Sequence, residues 1–400
     1  MTLLLDKSPV GKRLLAELSP QETFARVALL QTQAEAAGAQ EISRILGKGL
    51  TQRGHDVHHV YLFRRTAVFD EQPNTFFCAG ERPANPVAVL RTLHALVQHL
   101  RTLRPDVVLC FQHYGNIIGA VAARLAGIPL VVANRNSAKA LEPLWTRCVD
   151  LAFGSTGTFS RVVVNCATIA EEYGGHPKAY RKRLRRINHG FAPKRSTLSK
   201  SDARRRLGLP NDLPLLGSVG RLHAGKNLSA AVDLLSEQDW HLALVGQGPE
   251  REQLLDLAHK CGVAHRLHLL GETDADGVAA FLRALDVFVF PSSMETFGLA
   301  AVEAAAAGIP VVANDLDVLR EVLAGDGKPA AMFVNAGDTA AFAGAVQTVL
   351  ENGELRETLA RRGSALAERY SLNTMVDRYA ALIDELMIDD EERIPNVSCV

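Results

Sequence analysis

Four side chains in the second half of the chain have the types and spacing that anion chemistry needs: Arg221 and Lys226 in one short segment, and Glu295 and Glu303 with seven residues between them. Two cations in one loop suit a diphosphate and the charge it carries as it departs. The two glutamates bracket a helix start. There, beyond Thr296, the backbone N–H groups of Phe297, Gly298 and Leu299 and the positive end of the helix dipole make a seat for a phosphate or a sugar hydroxyl. Glu303 falls in an alanine-rich stretch built for close packing, so an ionised carboxylate there needs a partner. Alone, such a carboxylate could equally cap or salt-bridge a neighbouring element. Its pairing with Glu295 is what points to a ligand.

The elements that must position these groups can be read from the same stretches. Residues 287–290, Val-Phe-Val-Phe, suit a buried parallel strand that Pro291 and two serines end. A helix over 298–307, closed by Gly308, and a strand over 309–313 complete a βαβ unit. Arg221 and Lys226 follow an expected strand at 215–219 and precede a helix from Leu228. The glycines here, 217, 220 and 225, do not make the G-x-G-x-x-G dinucleotide fingerprint, and no phosphate-binding P-loop is present. Asp274-Ala275-Asp276 opens the next expected helix and reads as a cap rather than a metal site.

Glu295 and Glu303, following a strand that ends in Pro-Ser, resemble the Glu-x7-Glu signature of family 4 glycosyltransferases. The resemblance implies the GT-B fold, an α/β architecture of two doubly wound Rossmann-like domains facing across a cleft. It gives Glu295 and the groups after it, Thr296 to Leu299, to the donor sugar, and Glu303 to the ribose hydroxyls. Gly220, Arg221 and Lys226 match the family's Gly-Arg-Leu and Lys-Asn segments, which hold the nucleotide phosphates. Gly271 resembles the strand edge that meets the nucleobase. Residues 36–41 look like the family's Gly-Gly-Ala loop, with Ala37 in place of the first glycine and Gly38 left to approach the pyrophosphate. His113, at the carboxyl end of an expected strand at 107–111, would line the acceptor site. Residues 186–191 resemble the Pro-Asn-Gly-Val segment that closes the first domain, with Asn188 and His189 replacing proline and asparagine. The implied reaction is retaining transfer of a sugar from a nucleoside diphosphate to an acceptor hydroxyl, with Arg221, Lys226, Glu295 and His113 as catalytic candidates, no metal and no cofactor beyond the sugar nucleotide.

Strands alternating with helices in both halves fit two such domains. The expected division is an extension over 1–25, an acceptor domain over 26–195, a donor domain over 196–370, a helix over 371–388 crossing back to the first domain, and a mobile charged tail over 389–400. A length of 400 residues is ample for two cores, and the six cysteines fall in no paired spacing, which fits a reduced, cytoplasmic setting. The first residues hold too short an apolar stretch for a signal peptide, and no run approaches a membrane span.

Net charge is zero, yet residues 1–195 carry 26 Lys and Arg against 14 Asp and Glu. Lys178, Arg181, Lys182, Arg183, Arg185 and Arg186 cluster, with Lys194 and Arg195 close behind. This run reads either as a solvated helix face plus linker or as a patch for anionic lipid at the inner face of a membrane or for a phosphate-bearing acceptor. It carries no recognisable nucleic-acid-binding motif. The expected partners are therefore a nucleotide-sugar donor and a saccharide or lipid-linked acceptor of the kind used in cell-envelope synthesis. Two other readings share this layout: a sugar-nucleotide epimerase and an inactive sugar-nucleotide binding protein.

Overall fold

A computed structural model describes residues 24–35, 38–66, 70–136 and 142–392. Most of the expected extension, Ala36 and Ala37 of the glycine-loop resemblance, and residues 393–400 of the tail lie outside the described residues.

Two parallel sheets carry the chain. The first contains β1 (Arg26–Ala34), β2 (Asp56–Arg64), β3 (Thr75–Phe77), β4 (Val107–Phe111), β5 (Leu130–Arg135), β6 (Arg161–Val164) and β7 (Leu184–Arg186), in the order β3-β2-β1-β4-β5-β6-β7. The second contains β8 (Leu215–Val219), β9 (His241–Val245), β10 (Leu267–Gly271), β11 (Val287–Phe290) and β12 (Val311–Asn314). A two-residue hairpin follows, β13 (Ala324–Gly325) with β14 (Lys328–Pro329), and then β15 (Met332–Val334) closes an order of β10-β9-β8-β11-β12-β15. Central strands such as β4 and β11 are buried along their whole length, because helices cover both faces; this is why they read as continuous apolar runs rather than alternating ones.

Each sheet reverses its winding once, between β1 and β4 and between β8 and β11. Loops leaving the carboxyl ends of such a strand pair diverge and open a crevice, which is where ligands sit in doubly wound sheets. The two crevices face each other: Arg221, after β8, reaches Glu35, after β1, and Thr296, after β11, reaches Asn136, after β5. Buried apolar residues run without a break from one domain to the other through Phe191, Phe297 and Tyr370.

The last helix, Leu372–Glu391, is capped by Ser371, whose hydroxyl accepts from the Thr374 N–H at 3.1 Å. It packs Met375, Val376, Tyr379, Ile383 and Leu386 onto the first domain, and the Tyr379 hydroxyl donates to Asn134 Oδ1 at 2.6 Å. Residues 389–391, expected in a mobile tail, belong to this helix, and Asp389 accepts from Arg161 at 2.6 Å, which ties the helix end to the first domain. The basic run over 178–186 is neither one helix face nor a linker. It forms a short helix, Lys178–Arg181, and then the edge strand β7. Strands β3 and β7 and the helix Leu144–Thr156 have no counterpart in the sequence reading.

Candidate active site

The loop after β8 is shaped by two local features. The His223 ring accepts from the Gly225 N–H at 3.1 Å, tightening the 3-10 turn Ala224–Lys226, and Asn227 then adopts φ 47° to start the helix Leu228–Glu237. The loop after β11 is tied to it, with Ser293 N–H donating to Gly225 O at 3.1 Å and Asn227 Nδ2 to Pro291 O at 3.4 Å. With both loops held, Lys226 Nζ lies 2.5 Å from Glu295 Oε1 and 5.2 Å from the centre of the Phe290 ring. Gly220 leaves β8 beside Gly246, whose N–H donates to Gly271 O at the end of β10 at 2.7 Å. The approach is close: a Cβ on Gly246, already at φ 134°, would stand 2.0 Å from the Gly220 carbonyl oxygen.

Gly298 takes φ 77° and turns the chain into the helix Leu299–Ala306, whose first-turn amides have no partner within the helix. Glu303 projects from this helix to Lys194, a residue of the segment joining the domains, at 2.8 Å. Burial pushes the Glu303 carboxyl above its ordinary value, Lys194 pulls it down, and Glu41 of the first domain adds to the rise. Arg221 Nη1 lies 3.6 Å from Glu35 Oε1, and the same carboxylate holds Arg65 at 3.0 Å and bonds Gln33.

The opposing rim belongs to the first domain. Gln112, between β4 and the following helix, adopts φ 63° and ψ 155°, a conformation rare outside glycine and costing about 1–3 kcal/mol. It brings His113 to the first position of the helix His113–Ala126, directly beyond the carboxyl end of β4. Burial, with Arg135 nearby, lowers the His113 pKa, so its ring is neutral at pH 7. Arg135 is itself buried and ties β5 to the next helix, meeting Glu142 at 2.7 Å, Asp150 at 3.1 Å and the Tyr173 hydroxyl at 2.8 Å. Gly38 begins the helix Gly38–Gln52 and is exposed, with nothing within 4 Å of where a Cβ would stand.

The structure thus joins Lys226 to Glu295, sets Arg221 and the Glu303 helix at the same crevice, and leaves His113 and Gly38 at the exits of β4 and β1 across from them. Sequence reasoning missed Glu35, the role of Lys194 as partner of Glu303, and Glu321, which accepts from the Ala167 and Thr168 N–H groups across the domains at 2.7 Å each. The available signal for Glu35 was a carboxylate directly after an apolar strand at the carboxyl edge of a sheet.

Comparison with known proteins bears on this geometry. Residues 37–195 match the model of Glycosyltransferase Family 4, and residues 199–365 match that of Glycosyl transferases group 1. Phosphatidyl-myo-inositol mannosyltransferase of Mycobacterium leprae is 39% identical over 38% of this chain and 41% of its own length. D-inositol 3-phosphate glycosyltransferase of Acidothermus cellulolyticus is 32% identical over 68% of this chain and 65% of its own length. The chain therefore spans less than two thirds of the curated relatives it matches. Among solved structures, sucrose-phosphate synthase from Thermosynechococcus elongatus superposes with a TM-score of 0.75 at 20% identity, covering 91% of this chain and all of the other. Anabaena Alr3699/HepE in complex with UDP-glucose does so with a TM-score of 0.77 at 19% identity, covering 90% and 99%. At those identities the likeness shows the fold, which is GT-B.

Proposed function

Because the chain belongs to the glycosyltransferases that join a family 4 domain to a group 1 domain, we propose that it moves a sugar from a nucleoside diphosphate to an acceptor hydroxyl, with retention and without a metal. The observation that carries this reading is the Lys226–Glu295 pair, held with Arg221 at the winding reversal of the second sheet. As the bond between sugar and diphosphate breaks, negative charge grows on the phosphate oxygens. In this reading Arg221, Lys226 and the first-turn amides of the helix Leu299–Ala306 receive it.

In this reading Glu303 grips the ribose hydroxyls, Glu295 and the amides after Thr296 hold the sugar, and Gly271 lies under the base. The acceptor enters from the side of His113, which orients it against the departing phosphate. The departing phosphate takes the acceptor proton, so no side-chain base is needed. Mannosyl, inositol phosphate and lipopolysaccharide-core transferases among the relatives support a saccharide or lipid-linked acceptor of the cell envelope. A bound nucleoside diphosphate in solved structures of the same fold supports the donor class. No helix among the described residues is long and apolar enough to cross a membrane, and the basic first domain supports peripheral contact with an anionic one.

A thermal-shift screen of nucleoside diphosphates and their sugars identifies the base, since a tight ligand raises the melting point by mass action. With the donor known, the sugar should leave only when an acceptor is added, and Lys226→Ala should slow diphosphate release by about 10²–10³-fold. An unchanged rate in that variant would remove Lys226 from the reaction.

A further inference from the structure

A second concavity lies at the opposite edge of the first sheet. A groove of about 780 Å³ runs between the starts of β5 and β6, at Pro129, Leu130 and Ser160, and the end of the last helix, at Leu386 and Asp389. His113, Asn136 and Cys166 follow strands at the other edge, so the groove and the cleft are separated by the length of the strands, roughly 13 Å for four-residue β6. Its volume falls within the range of small-molecule sites, about 300–1,000 Å³.

Six cations line it, Arg124, Arg161, Lys178, Lys182, Arg183 and Arg185, against the two carboxylates Asp389 and Asp390. The arginines are held in place by the fold. Arg124 donates to the Gly157 and Thr158 carbonyls at 2.9 Å, and Arg183 donates to Ala179 O at 2.6 Å. Arg161 bridges Glu385 and Asp389 at 2.7 and 2.6 Å, and Arg185 shares Glu385 at 2.7 Å. Positive charge is still in excess. Lys178 and Lys182 are exposed and take part in no ion pair among the described residues, and the Arg161 Nε is buried without an acceptor. Fixed guanidinium forks with mobile ammonium groups at the rim match the planar, multidentate recognition of phosphate.

We propose that this groove binds a phosphate-bearing anion, with Arg161 and Arg185 at its base and Lys178 and Lys182 at its rim, and that the acidic end of the last helix occupies part of it in the free chain. The site does not depend on the transferase chemistry of the cleft. An incoming phosphate competes with Asp389 for Arg161, so removing that carboxylate favours the ligand.

The test uses the full chain in two arms. Sodium tripolyphosphate is titrated by calorimetry, and sedimentation is followed with phosphatidylglycerol vesicles against phosphatidylcholine vesicles. The groove predicts saturable binding in at least one arm, weakened about tenfold or more by Lys178→Glu with Lys182→Glu and strengthened by Asp389→Asn. Both sets of changes lie on the surface, and melting curves check that the variants fold. Binding to vesicles alone identifies a lipid headgroup as the source, and binding to tripolyphosphate alone a soluble phosphate; either supports the site. Absence of binding in both arms overturns the proposal, as does binding that the double lysine variant leaves unchanged.

Discussion

At the scale of single residues, the lysine assigned here to the phosphates is already paired. Lys226 is held by Glu295 at 2.5 Å, so on the proposed function a diphosphate would take the ammonium from a carboxylate already in place. Glu295→Gln removes that competitor. Affinity for the free nucleoside diphosphate should therefore hold or rise, while turnover falls by about 10²-fold or more because the sugar loses its carboxylate. Equal losses of affinity and rate would show Glu295 to be only a structural partner. Glu303 makes a different prediction. Burial raises its pKa above the ordinary 4.5, so between that value and the raised one the folded chain holds a proton that the unfolded chain has lost. Stability from this residue is thus greatest at low pH and declines as pH climbs through that window. Glu303→Gln should flatten this segment of the curve in urea unfolding measured at a series of pH values; an unaltered slope would mean that the carboxyl titrates normally.

At the scale of elements, the site depends on how the helices begin. Gly298 sits at φ 77°, and a Cβ there would stand 2.6 Å from Leu319 Cδ2, so Gly298→Ala should cost about 1–2 kcal/mol and weaken nucleotide binding by moving the helix start. Asp274 accepts from the Gly277 N–H at 2.7 Å as an N-cap, and Asp274→Ala should cost about 1 kcal/mol in denaturant unfolding with turnover unaffected. A loss of turnover in that variant would place Asp274 in the reaction. These elements also show what a sequence discloses. Strands β4 and β8 begin and end where the sequence places them, because burial on both faces confines them to short runs of apolar and small residues between polar turns. Strands β3 and β7 escaped notice for the opposite reason: each has three residues at a sheet edge, and in β7 two of them are arginines that read as surface charge. The start of the helix at His113 was hidden because Gln112 turns the chain in a conformation usually left to glycine.

Across the whole molecule, the cleft is closed by charged pairs that join its two walls. Lys194 with Glu303 and Arg221 with Glu35 bring together residues more than a hundred positions apart, a proximity that spacing along one chain cannot reveal. The meeting of Lys226 and Glu295 was legible because their loops leave neighbouring strands of one sheet; the cross-domain partners were not. Glu321 is the clearest of these. Burial pushes its carboxyl up, and hydrogen bonds from Thr168 and Ala167, aided by Arg186, more than reverse that, leaving the pKa lowered from 4.5. Its contribution is present above that value and is lost as pH falls through the lowered one. Glu321→Ala should therefore increase the radius of gyration in solution scattering at neutral pH, and an unchanged radius would show that the packing of His189 against Phe297 holds the domains without it. The central claim is that the cations leaving β8 receive a diphosphate. It is tested most directly by titrating a panel of nucleoside diphosphates into the wild-type chain and the Lys226→Ala variant by calorimetry. The account predicts saturable binding of at least one member, weakened about tenfold or more in the variant; binding of equal strength in both proteins, or of no member to the wild type, would contradict it.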